Sequence, residues 1–361
     1  AGLNSLRGGI MDRTNTKDFE LSQTYLYFYD KLEKANWFLT AVDELKDREI
    51  TDRTLTKLMD DPIGDGGQWS MFVSLVEKYG VVPKYAMPET ASSEASAMLN
   101  RNLQTVLRRA AHQIRVGKSG AQEQALADVY RILTANLGLP PTDFQWQYRD
   151  KDDNFHREGT FTPQDFAREY LPKDLGEYVC VVNDPRNNYG ELYTVDYLGN
   201  VAGEKVTYLN APVEVLRDAT RSAIEDGQPV WFGCDTGQQS DADSGVWAKR
   251  LHDYEGLYGV EMGIEKPDRL RLHESLMTHA MVFTGADIAE GGDVTRWRVE
   301  NSWGTEKGDK GFWTMADDWF DEYVFEIAVH PSRLPEQYQE ALKSSDITTL
   351  PAWDPMGALA N

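Results

Sequence analysis

Cysteine and histidine are scarce in this chain, and basic residues are heavily outnumbered by acidic ones. Only two cysteines occur in 361 residues, Cys180 and Cys234, with six histidines. So few thiols exclude a disulfide scaffold and suggest a reducing compartment. No CxxC pair or Cys/His cluster argues for a bound zinc ion, and no metal or organic cofactor is implied. Thirty-seven basic residues face 59 acidic ones, a net charge of −22. Phosphate backbones and anionic lipid surfaces are therefore poor partners. The local cluster Arg101, Arg108, Arg109, Arg115 and Lys118 reads as the solvated face of a helix. No run approaches the roughly 18 consecutive apolar residues that a membrane span requires.

The remaining composition is that of an ordinary folded chain, 41 % hydrophobic and 27 % charged. Ala1, Leu3, Leu6 and Ile10 recur at helical spacing with no cap ahead of them, like a longer helix that has been cut. A second helix starts near Ser22, buries Tyr25, Phe28, Leu32 and Phe38, and is expected to turn Lys31, Glu33 and Lys34 to water. The turn Pro62-Ile63-Gly64-Asp65-Gly66-Gly67 precedes a short helix that stops at Gly80. Apolar stripes at Leu99–Ile114 and Leu126–Leu137 form a two-helix insertion. Thr162-Pro163 opens another short helix. From Tyr178 onward strand signals dominate: Cys180 and Cys234 each lie in an apolar run, and 280–284, 296–300 and 324–329 are short and separated by turns. Helices first and strands later give an α+β protein with two lobes. The expected organisation is a helical lobe over 1–87, a helical insertion over 88–176, a β-rich lobe over 177–330 and a C-terminal arm over 331–361.

One constellation carries chemistry. His279 heads the strand Ala280–Gly285, and Asn301 follows the strand Arg296–Glu300, 22 residues further on. That spacing leaves room for a hairpin that brings the two side chains together. An imidazole can take a proton from a nucleophile near neutral pH, provided that a partner holds its other nitrogen. A neutral Asn carbonyl serves this purpose in Cys-His-Asn arrangements. Trp303, two residues beyond Asn301, is placed to cover the His–Asn bond.

Thr278-His279-Ala280 and Glu300-Asn301-Ser302-Trp303-Gly304 resemble the catalytic His and Asn segments of papain-type peptidases. Gly66-Gly67 resembles the same family's Gly-Gly, whose backbone pairs with bound peptide. Phe19–Gln23, Asp30–Asn36, Gly66-Gly67-Gln68-Trp69, Glu274–Ala280 and Trp353–Ala360 are similar to the bleomycin hydrolase/aminopeptidase C branch. The resemblance implies a papain-like fold with a β-barrel-like second lobe and a cysteine aminopeptidase acting on peptides with a free N-terminus. It also implies a cytoplasmic homohexamer, and a C-terminal carboxylate, here on Asn361, that pairs with the substrate's α-amino group. It places the nucleophilic Cys four residues ahead of Ala1, so the chain by itself is expected to be inactive. Neither Cys180 nor Cys234 sits at a helix start, where a thiolate is stabilised. The rival readings are a catalytically inactive peptide-binding scaffold and a metal hydrolase using His273 and His279. The six-residue spacing of those histidines does not fit the helical zinc pair.

Overall fold

A computed structural model describes residues 1–360. The first half is mainly helical: α1 (Gly2–Thr14), α2 (Gln23–Glu44), α3 (Arg53–Asp60), α4 (Trp69–Tyr79), α5 (Ala91–Glu94), α6 (Ala97–Arg115) and α7 (Ala121–Leu137). The starts follow local chemistry. Ser22 caps α2 by accepting from the Tyr25 N–H, and Asp52 caps α3 by accepting from Thr54 and Leu55. The hairpin β1 (Phe144–Arg149) and β2 (Phe155–Phe161) comes next, then α8 (Pro163–Tyr170), with Thr162 as its cap.

The second half builds a large sheet. In chain order its elements are β3 (Val179–Val182), β4 (Leu192–Val195), β5 (Tyr208–Asn210), α9 (Val213–Glu225), β6 (Val230–Cys234), β7 (Ser240–Asp241), β8 (Val246–Trp247), α10 (Tyr254–Tyr258) and α11 (Lys266–Arg271). They continue with β9 (His279–Ile288), β10 (Val294–Glu300), β11 (Phe312–Ala316), α12 (Asp317–Tyr323), β12 (Val324–Val329), α13 (Glu336–Ala341) and β13 (Ile347–Leu350). The eleven strands lie in the order β13-β4-β5-β3-β12-β6-β9-β10-β11-β8-β7.

Alternation along the strands sends side chains to two cores. Cys180, Val182 and Trp231 join Leu3, Ile10, Phe28, Leu103 and Trp146 in a core shared with the helices. Val181, Phe232 and Ile327 join Phe283, Trp297, Phe320 and Leu216 on the other face, under α9 and α12. These two cores make the fold two-lobed, in agreement with the α+β expectation. Cys180 and Cys234 are both buried and free.

Two features differ from the sequence reading. Lys31, Glu33 and Lys34 do not face water: they are 0 %, 5 % and 6 % exposed. Helix α2 packs against α4, α6 and α7, so it has no free face there. Each charge instead finds a fixed partner. Glu33 accepts from Lys78 Nζ at 2.6 Å and from the Tyr79 hydroxyl, while both lysines reach the loop before α4. The 144–161 segment, placed within the helical insertion over 88–176, is a paired β-hairpin that buries Phe144 and Trp146.

Glu326, on β12, is fully buried, and its carboxyl oxygens meet no hydrogen-bond partner among the described residues beyond the weak donor of the neighbouring Cys180 thiol, which only partly opposes the effect of burial. Burial pushes its carboxyl up to about 8. Below its ordinary value of 4.5 the acid is protonated in the folded and the unfolded chain alike. As pH rises toward 8 only the unfolded chain ionises, so this group's contribution to stability falls across that window. Glu326→Gln should remove the slope, and the variant should gain urea resistance over the parent between pH 5 and pH 8. Identical pH dependence in the two proteins would show that Glu326 is not the group responsible.

Candidate active site

His279 is the first residue of β9. The β6–β9 ladder sets it opposite Cys234, and Thr278 N–H donates to the Cys234 carbonyl at 2.9 Å. Ahead of it, the Asp235 carboxylate accepts from Ser275 Oγ at 2.8 Å, which anchors the approach to the strand. Asn301 follows β10 directly, and its N–H donates to the Gly311 carbonyl. In the β9–β10 ladder Glu300 pairs with Val282.

The two side chains meet: His279 Nε2 lies 3.0 Å from Asn301 Oδ1. The same oxygen accepts from Ser302 N–H at 2.7 Å. A backbone N–H only donates, so the Asn301 atom it meets must be the oxygen. His279 Nε2 therefore carries a proton and donates it, and the lone pair of the neutral imidazole is left on Nδ1. Burial lowers the His279 pKa, and the bond to Asn301 opposes that shift. Helix α1 packs against β9, the strand that His279 begins.

Trp303 packs on His279, ring centroids 5.1 Å apart, and is held edge-on by Trp313. Trp303 itself is 45 % exposed. Cys234, although opposite His279 on the ladder, is wholly buried, and burial raises its thiol well above the usual range, as it does for Cys180. Both are poor nucleophiles. His273 is exposed, and among the described residues no group of three or more His, Cys, Asp or Glu side chains is gathered to hold a metal ion.

Several residues around this pair escaped the sequence reading. The Glu300 carboxylate accepts from Asn4 Nδ2 at 3.0 Å and from Arg7 Nη2 at 2.9 Å. Asn4 and Arg7 lie one turn apart on the same side of α1, and Glu300 stands directly before Asn301, so the spacing was visible but not its meaning. On its other flank α1 presses so tightly on α4 that a Cβ at Gly2 would sit 2.8 Å from the Phe72 ring.

Gly66 and Gly67 lie in the loop before α4. A Cβ at Gly67 would meet nothing within 4 Å. The C-terminal arm reaches the same region. Its strand β13 runs parallel to β4, and the Arg53 guanidinium sits 4.0 Å over the Trp353 ring. Asp354 accepts from Arg186 Nη2 at 2.8 Å. The Met356 carbonyl accepts from Gln68 Nε2 and Tyr208 OH, at 3.4 and 3.2 Å. Leu359 lies beside Gly233, where an added Cβ would come within 3.1 Å of it. Gly233 pairs with Ala280, so the arm ends its described course one ladder step from His279. Asn361 lies outside the described residues.

A two-lobed α+β chain with an imidazole oriented by an Asn carbonyl at the lobe junction has the layout of a papain-like peptidase. The sequence matches the peptidase C1-like family over residues 1–357. It is 42 % identical to aminopeptidase C of Listeria monocytogenes over 100 % of this chain and 83 % of that protein. It is also 42 % identical to human bleomycin hydrolase, over 99 % of this chain and 83 % of the relative. The crystal structure of PepW from Lactobacillus rhamnosis superposes with a TM-score of 0.96 at 41 % identity, covering 99 % of this chain and 83 % of that one. The chain belongs to the peptidase C1-like family, in its bleomycin hydrolase/aminopeptidase C branch.

The Asn301 carbonyl accepts the Nε2 proton and so favours the imidazolium form. Asn301→Ala should therefore move the His279 titration midpoint to lower pH, read by NMR of the imidazole. An unmoved midpoint would mean that the bond does not act on the ring.

Proposed function

We propose that this protein is a cysteine aminopeptidase that releases residues from the free N-terminus of peptides. The observation that carries the reading is the His279–Asn301 pair, with the Nδ1 lone pair free and α1 packed against the strand that His279 begins. The nucleophile in this reading is a Cys four residues ahead of Ala1 on the helix that α1 continues. A helix N-terminus and a neighbouring imidazolium both stabilise a thiolate there.

The thiol gives its proton to His279 Nδ1, and the sulfur attacks the carbonyl carbon of the first peptide bond. His279 returns that proton to the leaving amine nitrogen, and an acyl-enzyme remains. Water then attacks the thioester carbonyl, His279 takes one of its protons, and the thiolate departs and is reprotonated. Asn301 keeps the ring in the productive orientation throughout, and Trp303 limits water access to their bond. The backbone of Gly66 and Gly67 binds the peptide. The arm occupies the cleft on the side where an endopeptidase would hold residues preceding the scissile bond, and the carboxylate of Asn361 pairs with the substrate's α-ammonium group. Assembly as a hexamer in the cytoplasm completes the proposal. It rests on the family resemblance, with support from the exposed apolar run Tyr254, Leu257, Tyr258, Val260, Met262 and Ile264.

In a chain that carries the upstream Cys, His279→Ala should cut peptide turnover at least roughly 10³-fold with the fold retained by circular dichroism. Undiminished turnover would refute the assignment. Deleting residues 358–361 should open cleavage of N-terminally blocked peptides. If blocked peptides stay intact, the arm does not set exopeptidase specificity.

A further inference from the structure

Lys31 and Lys34 stand one turn apart on α2, both buried, and both aim at the loop that precedes α4. Lys31 Nζ donates to the carbonyls of Ile63 at 3.2 Å and Gly64 at 2.7 Å. Lys34 Nζ donates to the carbonyls of Gly64 at 3.0 Å and Gly66 at 2.5 Å. Asp65 and Asp30 supply the counter-charges, at 2.6 and 2.8 Å. Two ammonium groups that share one carbonyl inside a protein repel each other and lose hydration. Burial, then Lys34, lowers the Lys31 pKa to about 8. Apolar side chains at such sites commonly stabilise a fold as well or better. The arrangement is therefore better explained by what it does to the loop.

Across a trans peptide the C=O and N–H point in opposite directions. With the Gly66 carbonyl held toward α2 by Lys34, the Gly67 N–H is turned away from α2. No acceptor among the described residues takes it. The space in front of Gly67 is open as well.

We propose that Lys31 and Lys34 are positioning residues that lock the 63–67 backbone so that the Gly67 N–H presents itself to a peptide carbonyl. This rests on the reading above that Gly66 and Gly67 bind substrate backbone, and it adds what holds them ready.

The test is the affinity of this chain for a tetrapeptide amide with a free amino terminus, with the Gly67 amide followed by NMR. Peptide should shift the Gly67 amide resonance in the parent. If it does not, the backbone-binding reading itself fails. Lys34→Met should displace that resonance in the free protein and weaken binding about tenfold, whereas Lys34→Arg, which still donates, should stay within about threefold of the parent. If the parent responds to peptide but folded Lys34→Met binds it equally well, the positioning role is overturned. Should Lys34→Met not fold, Lys31→Met carries the same measurement with the same two outcomes.

Discussion

One carboxylate registers the two lobes against each other. Glu300 ends β10, and its oxygens hold Asn4 and Arg7 on α1. The next residue along the strand is Asn301, which orients His279. The ion pair is thus one residue away, along the backbone, from the His279–Asn301 pair. A charge-assisted pair that is mostly buried is stiff as well as strong. Any rotation of α1 about its axis would have to break it. The helix start and the imidazole come from halves of the chain nearly three hundred residues apart, and this contact fixes the distance between them.

The protein also buries charges that the bulk composition would place on the surface. Lys31 and Lys34 donate to loop carbonyls, and Lys266 is buried against the carbonyls of Asp321 and Val324. A lysine that donates to carbonyls fixes backbone which no regular ladder holds. In each case the acceptors lie in a loop or at an element's end. The fold thus spends electrostatic free energy where helix and sheet hydrogen bonds run out.

Helix boundaries were legible wherever a cap or a stop residue marked them: Ser22, Thr162 and Gly80 stand where the chain turns. The strands bearing His279 and Asn301 were legible too, because β-branched and aromatic runs broken by turns are a local signal. Less visible were features set by distant partners. The charges on α2 looked solvent-facing because periodicity along one helix does not reveal that three other helices enclose it. The 144–161 hairpin hid in a polar segment, although Phe144, Trp146 and Tyr148 alternate with Gln145, Gln147 and Arg149. The parallel pairing of β13 with β4 joins segments about 150 residues apart, and nothing local encodes it. At the site, residue identities could be read in advance, but the Ser302 N–H that settles the imidazole tautomer could not, because every residue carries such a group.

The arm is seated on Arg53, Arg186, Gln68 and Tyr208, which come from both lobes. It therefore acts as a staple, and hinge-like opening of the lobes would have to unseat it first. Length tolerance along the chain follows from this. An extra residue in the connection before β13 can be absorbed as slack. The same residue inserted after Asp354 would push the 3-10 turn of residues 355–360 forward by roughly 2 Å, with no loop to take up the difference. Residues 354–359 thus behave like a gauge of fixed length, the reverse of the leniency that segments near a chain end ordinarily enjoy.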